Sequence, residues 1–376
     1  MSDAVTDAAL ARQLVTKAKR IVIKIGSRAL STEAQIYDRL AEAVAIAHAA
    51  ESTVAIVSSG AIALGMKKLG LATKPKEMAL LQASAAAGQS VLMRLYEEAF
   101  ARRGLAVAQV LLTHADLADR ARANNARDAL AALLDANVVP VINENDTVAV
   151  DEIRFGDNDM LASMVTPLIS ADLLILLSDV DGLLDEQGKR VPIVRNVTRD
   201  AKPLATTKTS GPGTGGMVSK LEAARRGMLA GATVVVGNAR QPGAIAAILA
   251  GEDVGTLFVP HPQRIQARKH WIAFTLRPRG AILLDGGAAL AIVQNGTSLL
   301  PVGVLGVRGD FGAGDAVTLL THEGREIGRG LARLGASETA AIAGKRTEDL
   351  AALRGPADVV VVHRDDLVLT YDDSSA

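Results

Sequence analysis

Along the first two-thirds of the chain, apolar residues come in short unbroken runs. Between the runs lie longer stretches in which they recur every three or four positions. Ile21–Ile25, Val54–Val57, Ala106–Leu112, Val138–Ile142, Leu173–Leu177 and Thr233–Val236 have the length and the Val/Ile/Leu content of buried strands. Arg39–Ala50, Lys76–Arg103, Arg122–Ala136, Met160–Ser170 and Val218–Ala230 carry the helical spacing. Strand-like and helix-like segments in alternation predict an α/β fold, a mainly parallel sheet sandwiched by helices. Ligands in such sheets bind beyond the carboxyl ends of the strands. Four polar clusters fall there: Lys24–Ser27, Ser58–Ala61, Asn143–Asp146 and Ser178–Asp179.

The rhythm changes after Val259–Arg279, a stretch with Pro260, Pro262, Pro278 and several basic residues. Beyond it come short apolar runs with frequent glycine: Ala281–Leu284, Ala289–Val293, Val302–Val307, Ala316–Leu320, Glu326–Ala332 and Val359–His363. These predict a small, mostly antiparallel β domain. The expected organisation is a catalytic domain over 1–262, a linker over 263–278 and the small β domain over 279–370, with Tyr371–Ala376 frayed.

A chain of 376 residues is too long for one ordinary core, which agrees with two domains. Lys plus Arg and Asp plus Glu stand at 41 each, an even balance that argues against a protein built mainly to hold nucleic acid. The absence of cysteine removes disulfides, thiolate metal sites and cysteine nucleophiles, and it fits a cytoplasmic protein. Met1–Arg20 carries Asp3 and Asp7 and does not read as a signal peptide. No apolar run approaches the ~20 residues needed to span a bilayer, so a soluble protein without a membrane partner is expected.

The polar clusters suit phosphoryl transfer, in which catalysis is mostly positioning and charge cancellation on phosphate oxygens. Lys24 ends a strand beside Gly26, where backbone can approach an oxyanion. Ser58-Ser59-Gly60-Ala61 joins a strand to a helix, so its N–H groups can hold an anion, and Ser59 can also serve as an ordinary cap. Asn143-Glu144-Asn145-Asp146 and Gly156-Asp157-Asn158-Asp159 flank an expected β-hairpin; either cluster alone would fit common turn chemistry. Gly213–Lys220 is a glycine loop entering a helix, with Lys220 one turn in. It is not a P-loop, because Met217 follows the glycine pair where that motif requires lysine.

Four islands, K-I-G-S at Lys24–Ser27, S-S-G-A at Ser58–Ala61, F-G-D-N-D at Phe155–Asp159 and G-T-G-G-M-V-S-K at Gly213–Lys220, resemble the glutamate 5-kinases of the amino-acid kinase family. The tail after Arg279 resembles the PUA domain that many bacterial members carry. The resemblance implies an amino-acid-kinase-like sheet followed by a PUA-like domain. It also implies an enzyme that uses ATP and Mg²⁺ to phosphorylate the γ-carboxylate of L-glutamate in proline biosynthesis.

It makes Lys24 and Lys220 phosphate-binding catalytic lysines, with Asp159 orienting both. It places Ser59, Gly60, Asp146 and Asn158 on glutamate, with Asn143 and Asp157 as second choices. It assigns ATP to Lys24, Gly26, Ser178, Asp179, Thr214, Gly215, Gly216, Met217, Val218, Ser219 and Lys220. No protein side chain is expected to ligate the metal directly. A homodimer or homotetramer and feedback inhibition by proline are implied as well. Arg28 departs from the pattern, since many relatives have a small residue there; it would either bind phosphate or face solvent.

Other chemistries are excluded. Asp310-Phe311-Gly312 and His363-Arg364-Asp365 mimic protein-kinase motifs in the wrong order and inside the small β domain. The six histidines form no ligand pair at zinc spacing, and no G-x-S-x-G elbow exists. PUA-like domains often bind RNA, which would offer a second reading. From Arg279 onward, however, 9 Lys and Arg face 13 Asp and Glu, a balance of −4, and the whole chain has only 1 Trp, 3 Tyr and 5 Phe. An acidic module poor in stacking platforms is a weak phosphate-backbone binder, so RNA binding is disfavoured.

Overall fold

The computed structural model describes residues 11–32, 35–149, 158–206, 216–262, 264–346, 349 and 359–369. The chain divides into two compact units, Met1–Arg264 and Ile265–Ala376.

The first unit holds an eight-stranded sheet. Its strands are β1 (Arg20–Ile25), β2 (Thr53–Ser58), β3 (Ala106–Leu112), β4 (Val138–Glu144), β5 (Leu173–Ser178), β6 (Ile193–Val194), β7 (Thr233–Asn238) and β8 (Thr256–Phe258). They run in the order β3-β4-β2-β1-β5-β7-β8-β6. All neighbours are parallel except β7 and β8. The main helices are α1 (Ser27–Thr32), α2 (Ile36–Ala49), α3 (Ala61–Lys68), α4 (Met78–Ala101), α5 (Arg120–Asp135), α6 (Asn158–Leu168) and α7 (Met217–Leu229). Among the described residues no helix is long and apolar enough to cross a membrane.

Side chains alternate across a strand, and that alternation sorts the core into two layers. Ile21, Ile23 and Ile25 of β1 join Val54 and Ile56 of β2 and Val139 and Val141 of β4 under α2 and α4. Val22, Ala55, Val57, Ile142, Leu174 and Leu176 face the opposite way, toward α5, α6 and α7. The parity also positions the polar residues at the strand ends. Lys24 shares the face of Val22 and so points toward α6 and α7. Ser58 and Asn143 share the face of Ile56 and Val141, under α4. The registers Ile25↔Ser58 and Ile25↔Leu177 bring these carboxyl ends to one edge.

Helices α3 and α4 meet backbone to backbone. A Cβ on Gly65 would lie 1.7 Å from the Ser84 carbonyl oxygen, and one on Gly88 would lie 1.8 Å from the Ala61 carbonyl oxygen. Only glycine permits this approach, which seats the start of α3 and with it the Ser58–Ala61 turn. Within that turn Gly60 has φ of 102°, a left-handed conformation suited to glycine. Gly88→Ala is therefore expected to destabilise the protein by about 1–3 kcal/mol or more, because overpacking against backbone cannot be relieved by a rotamer change. Urea denaturation of the variant beside the parent checks it.

The second unit is built on a five-stranded sheet of order β10-β9-β11-β12-β13. Its strands are β9 (Gly280–Leu284), β10 (Val304–Gly309), β11 (Ala316–Thr321), β12 (Glu326–Ala332) and β13 (Val362–Leu369). Pairing is antiparallel except between β9 and β11. One expected strand is a helix instead: the run Ala289–Val293 lies inside α8 (Gly286–Asn295). The Asp285 side chain accepts from the Ala288 N–H at 2.7 Å, and Gly296 closes the other end with φ of 61°. An N-cap and a left-handed C-terminal glycine with ten residues between them outweigh a short apolar run.

Residues 267–275, within the stretch read from sequence as a linker, are helical, with Ile272 and Ala273 buried against Val368. Phe311 of the Asp310–Gly312 fragment is buried in the core of the second unit, a packing role.

Candidate active site

Three charged side chains meet beyond the carboxyl edge of the first sheet. Asp159, in the first turn of α6, is wholly buried at 0% exposure. Its carboxylate lies 2.5 Å from Lys24 Nζ through Oδ1 and 3.0 Å from Lys220 Nζ through Oδ2. Ser219 Oγ donates to the same Oδ2 at 3.4 Å. Both lysines are buried as well. The meeting follows from the fold: Lys24 emerges from β1 toward α6 and α7, and Asp159 and Lys220 each sit in the first turn of one of those helices.

Burial opposes the charged form of Asp159, but the charges and hydrogen bonds of Lys24 and Lys220 more than offset it. The carboxyl is held below the ordinary carboxylate range. Two positive side chains against one carboxylate leave these three groups with one surplus positive charge, out of water. Such a centre favours an anion. Gly26 lies beside it: a Cβ there would sit 3.9 Å from Lys24 Nζ, so its bare backbone keeps the approach open. The amino end of α7, at Gly216, Met217 and Val218, adds N–H groups that have no partner within the helix, and a favourable dipole.

A second, neutral cluster adjoins the first. The two N–H bonds of Asn158 Nδ2 are shared among three acceptors, the Ser58 carbonyl at 2.7 Å, Ser59 Oγ at 2.8 Å and Asn143 Oδ1 at 3.0 Å. Asn158 thereby ties the start of α6 to the ends of β2 and β4. Beneath it, the Tyr96 hydroxyl donates to Ser58 Oγ at 3.0 Å. Burial pushes the Tyr96 hydroxyl well above its ordinary pKa, so it is a fixed neutral donor. Asp146 lies half-buried in the turn after β4.

A third pair stands at the ends of β1 and β5. Arg28 Nη1 is 2.7 Å from Asp179 Oδ2, and Ser178 Oγ donates to Asp179 Oδ1 at 3.2 Å. Burial raises the Asp179 carboxyl, but the Arg28 hydrogen bond leads the effects that bring it below the usual range. Arg28 thus turns toward the Ser178–Asp179 edge.

The sequence-predicted residues Lys24, Asp159, Ser219 and Lys220 come together in one cluster, and Ser59, Asn143 and Asn158 in the next. Asp157, Thr214 and Gly215 lie outside the described residues. Tyr96 was missed by sequence reasoning. Its signal is a tyrosine at the i+4 position between Leu92 and Phe100 on a buried helix face, where a hydroxyl must find a partner.

This geometry suits transfer of an anionic group, and its sequence context identifies the class. Residues 19–238 match the amino acid kinase family and residues 280–353 the PUA domain. The glutamate 5-kinase of Myxococcus xanthus is 48% identical over 370 residues, covering 95% of this chain and 98% of the relative. The glutamate 5-kinase of Trichlorobacter lovleyi is 45% identical over 370 residues, with the same coverages of 95% and 98%. That of Streptomyces coelicolor is 46% identical over 373 residues, covering 96% and 99%. The chain is therefore an enzyme that belongs to the amino acid kinase family, in its glutamate 5-kinase branch.

Proposed function

We propose that this enzyme transfers the γ-phosphoryl group of ATP to the side-chain carboxylate of L-glutamate, giving L-glutamyl 5-phosphate and ADP. A carboxylate oxygen attacks the γ-phosphorus as the bond to the β–γ bridging oxygen breaks. The electron pair of that bond leaves with ADP. A carboxylate is already ionised near neutral pH, so no general base is needed. The obstacle is repulsion between two anions, and the observation that carries the reading is the buried Lys24–Asp159–Lys220 cluster with its surplus positive charge.

In this reading Lys24 and Lys220 hold the moving phosphoryl group, and Asp159 keeps both at fixed separation. Ser59, Asn158, Asn143 and Asp146, with Asp157 and the Gly60 turn, hold the α-ammonium and carboxylate of the amino acid. Gly26, Ser178, Asp179 and the segment Thr214–Lys220 hold ATP. Magnesium, when bound, would neutralise phosphate charge. Such a cation is carried largely through phosphates and water. The reading extends to a cytoplasmic homodimer or homotetramer that opens proline synthesis and is inhibited by proline.

The test is ADP release with ATP and Mg²⁺, offered L-glutamate, N-acetyl-L-glutamate, L-aspartate or UMP in turn, with hydroxylamine present. Turnover with L-glutamate and recovery of the γ-hydroxamate are expected, because hydroxylamine traps an acyl phosphate. Turnover with another acceptor instead would move the specificity assignment and leave the fold assignment standing. Inhibition by added L-proline is expected in the same assay.

A further inference from the structure

Asn143 and Asn158 are the inner half of a longer line of amides. Asn143 Nδ2 donates to Gln89 Oε1 at 3.0 Å, and Gln89 Nε2 donates to Gln109 Oε1 at 3.1 Å. The line crosses four elements, from α6 through β4 and α4 to β3. Strand parity explains how it forms. Gln109 shares the face of Val107, as Asn143 shares that of Val141, and α4 covers that face. The register Leu111↔Asn143 sets the two strands side by side, so Gln89 on α4 reaches both side chains.

An amide can be turned end for end, but two backbone groups fix the direction of this line. The Ser58 carbonyl can only accept, so the Asn158 atom 2.7 Å from it is the NH₂. The Glu144 backbone N–H can only donate, so the Asn143 atom 2.9 Å from it is the oxygen. Asn143 must then present its NH₂ toward α4. Gln89 answers with its oxygen and turns its own NH₂ to Gln109.

The direction has a consequence at the inner end. The amide nitrogen of Asn158, 2.8 Å from Ser59 Oγ, can donate but not accept, so the Ser59 O–H cannot point at it and remains for another acceptor. An amino-acid substrate supplies such an acceptor in its carboxylate. We propose that Gln89 is a positioning residue for the amino-acid site, supported by Gln109. By accepting from Asn143 it anchors that amide where its oxygen meets the Asn158 NH₂, and so keeps Asn158 in place beside the Ser59 hydroxyl. This rests on the reading above that Ser59, Asn143 and Asn158 face the amino acid.

Asn143 is only 2% exposed. Without the Gln89 oxygen its NH₂ loses that acceptor in a place water does not reach, and the side chain rotates away from Asn158. In the full-length enzyme, Gln89→Leu keeps the bulk and removes the acceptor. Its glutamate KM is expected to rise about tenfold, the size of one unmet buried hydrogen bond. Its ATP KM should stay within about twofold, because uniform binding is lost only on the amino-acid side.

Gln89→Glu, which keeps an accepting oxygen, should recover most of the glutamate KM. Gln109→Leu, at an exposed position on the edge strand, should raise the glutamate KM by a smaller factor, about twofold to threefold, since it acts one amide further out. An unchanged glutamate KM in Gln89→Leu, or an equal rise in both KM values, overturns the proposal. If Gln89→Leu shows no cooperative melting, Gln109→Leu decides, and an unchanged glutamate KM there overturns it. Parent enzyme active on glutamate with an indifferent Gln89→Leu sinks this proposal alone. A parent enzyme that does not phosphorylate glutamate sinks both this proposal and the reading it rests on.

Discussion

Asp159→Asn is expected to lower kcat by about a hundredfold to a thousandfold, the range seen when one preorganised electrostatic group is removed from a transition state. The change is nearly isosteric, so cavity formation does not enter. It removes the only negative charge of the buried triad and leaves Lys24 and Lys220 facing each other across a neutral amide. Repulsion drives them apart, and they lose the separation at which both can reach one phosphoryl group.

The same change should lower stability, because breaking a buried pair by removing one partner typically costs about 3–5 kcal/mol. The sign with pH follows from the depressed folded-state pKa of Asp159. A carboxyl whose pKa is lower folded than unfolded contributes stability above its unfolded value, about 3.9. That contribution is lost as pH falls through the folded value. The gap in urea midpoint between parent and Asp159→Asn should therefore be full at pH 7 and close toward strong acid. A gap that is constant down to pH 2 would mean that the Asp159 charge is not what holds the cluster.

Much of this site was legible because strand parity and strand ends are written in the pattern. Lys24 two residues after Val22 and Ser58 two after Ile56 fix which layer each side chain enters once the runs are recognised as strands. The carboxyl-edge rule then gathers the islands. What was not legible depends on contacts between distant segments. Nothing around Gln89 marks it as the partner of Asn143, 54 residues on. The Arg28–Asp179 pair spans 151 residues, and only the pairing of β1 with β5 brings its ends together. The error at Ala289–Val293 was of another kind. The deciding residues, Asp285 and Gly296, were in plain view, but a pattern of apolar runs does not weigh caps.

Lys220→Ala isolates the opposite half of the charge balance. Where Asp159→Asn removes the carboxylate between two cations, Lys220→Ala leaves the Lys24–Asp159 ion pair in place. The folded protein should tolerate this better, and its melting temperature is expected to fall less than that of Asp159→Asn. Turnover should not survive: the phosphoryl group in flight would lose one of its two cationic ligands. A kcat lower by about 10²–10⁴ is expected, in the range of cationic phosphoryl clamps.

The glutamate KM should change little, because Lys220 lies in the Asp159 cluster and not among the amides around Ser59. Lys220→Arg should not restore the rate, since a planar guanidinium cannot replace a compact ammonium 3.0 Å from Asp159 in a buried site. Steady-state kinetics with glutamate and ATP varied separately give the answer. A glutamate KM that rises as far as kcat falls would show that Lys220 holds substrate in the ground state as much as in the transition state, and the division between the two clusters would have to be redrawn.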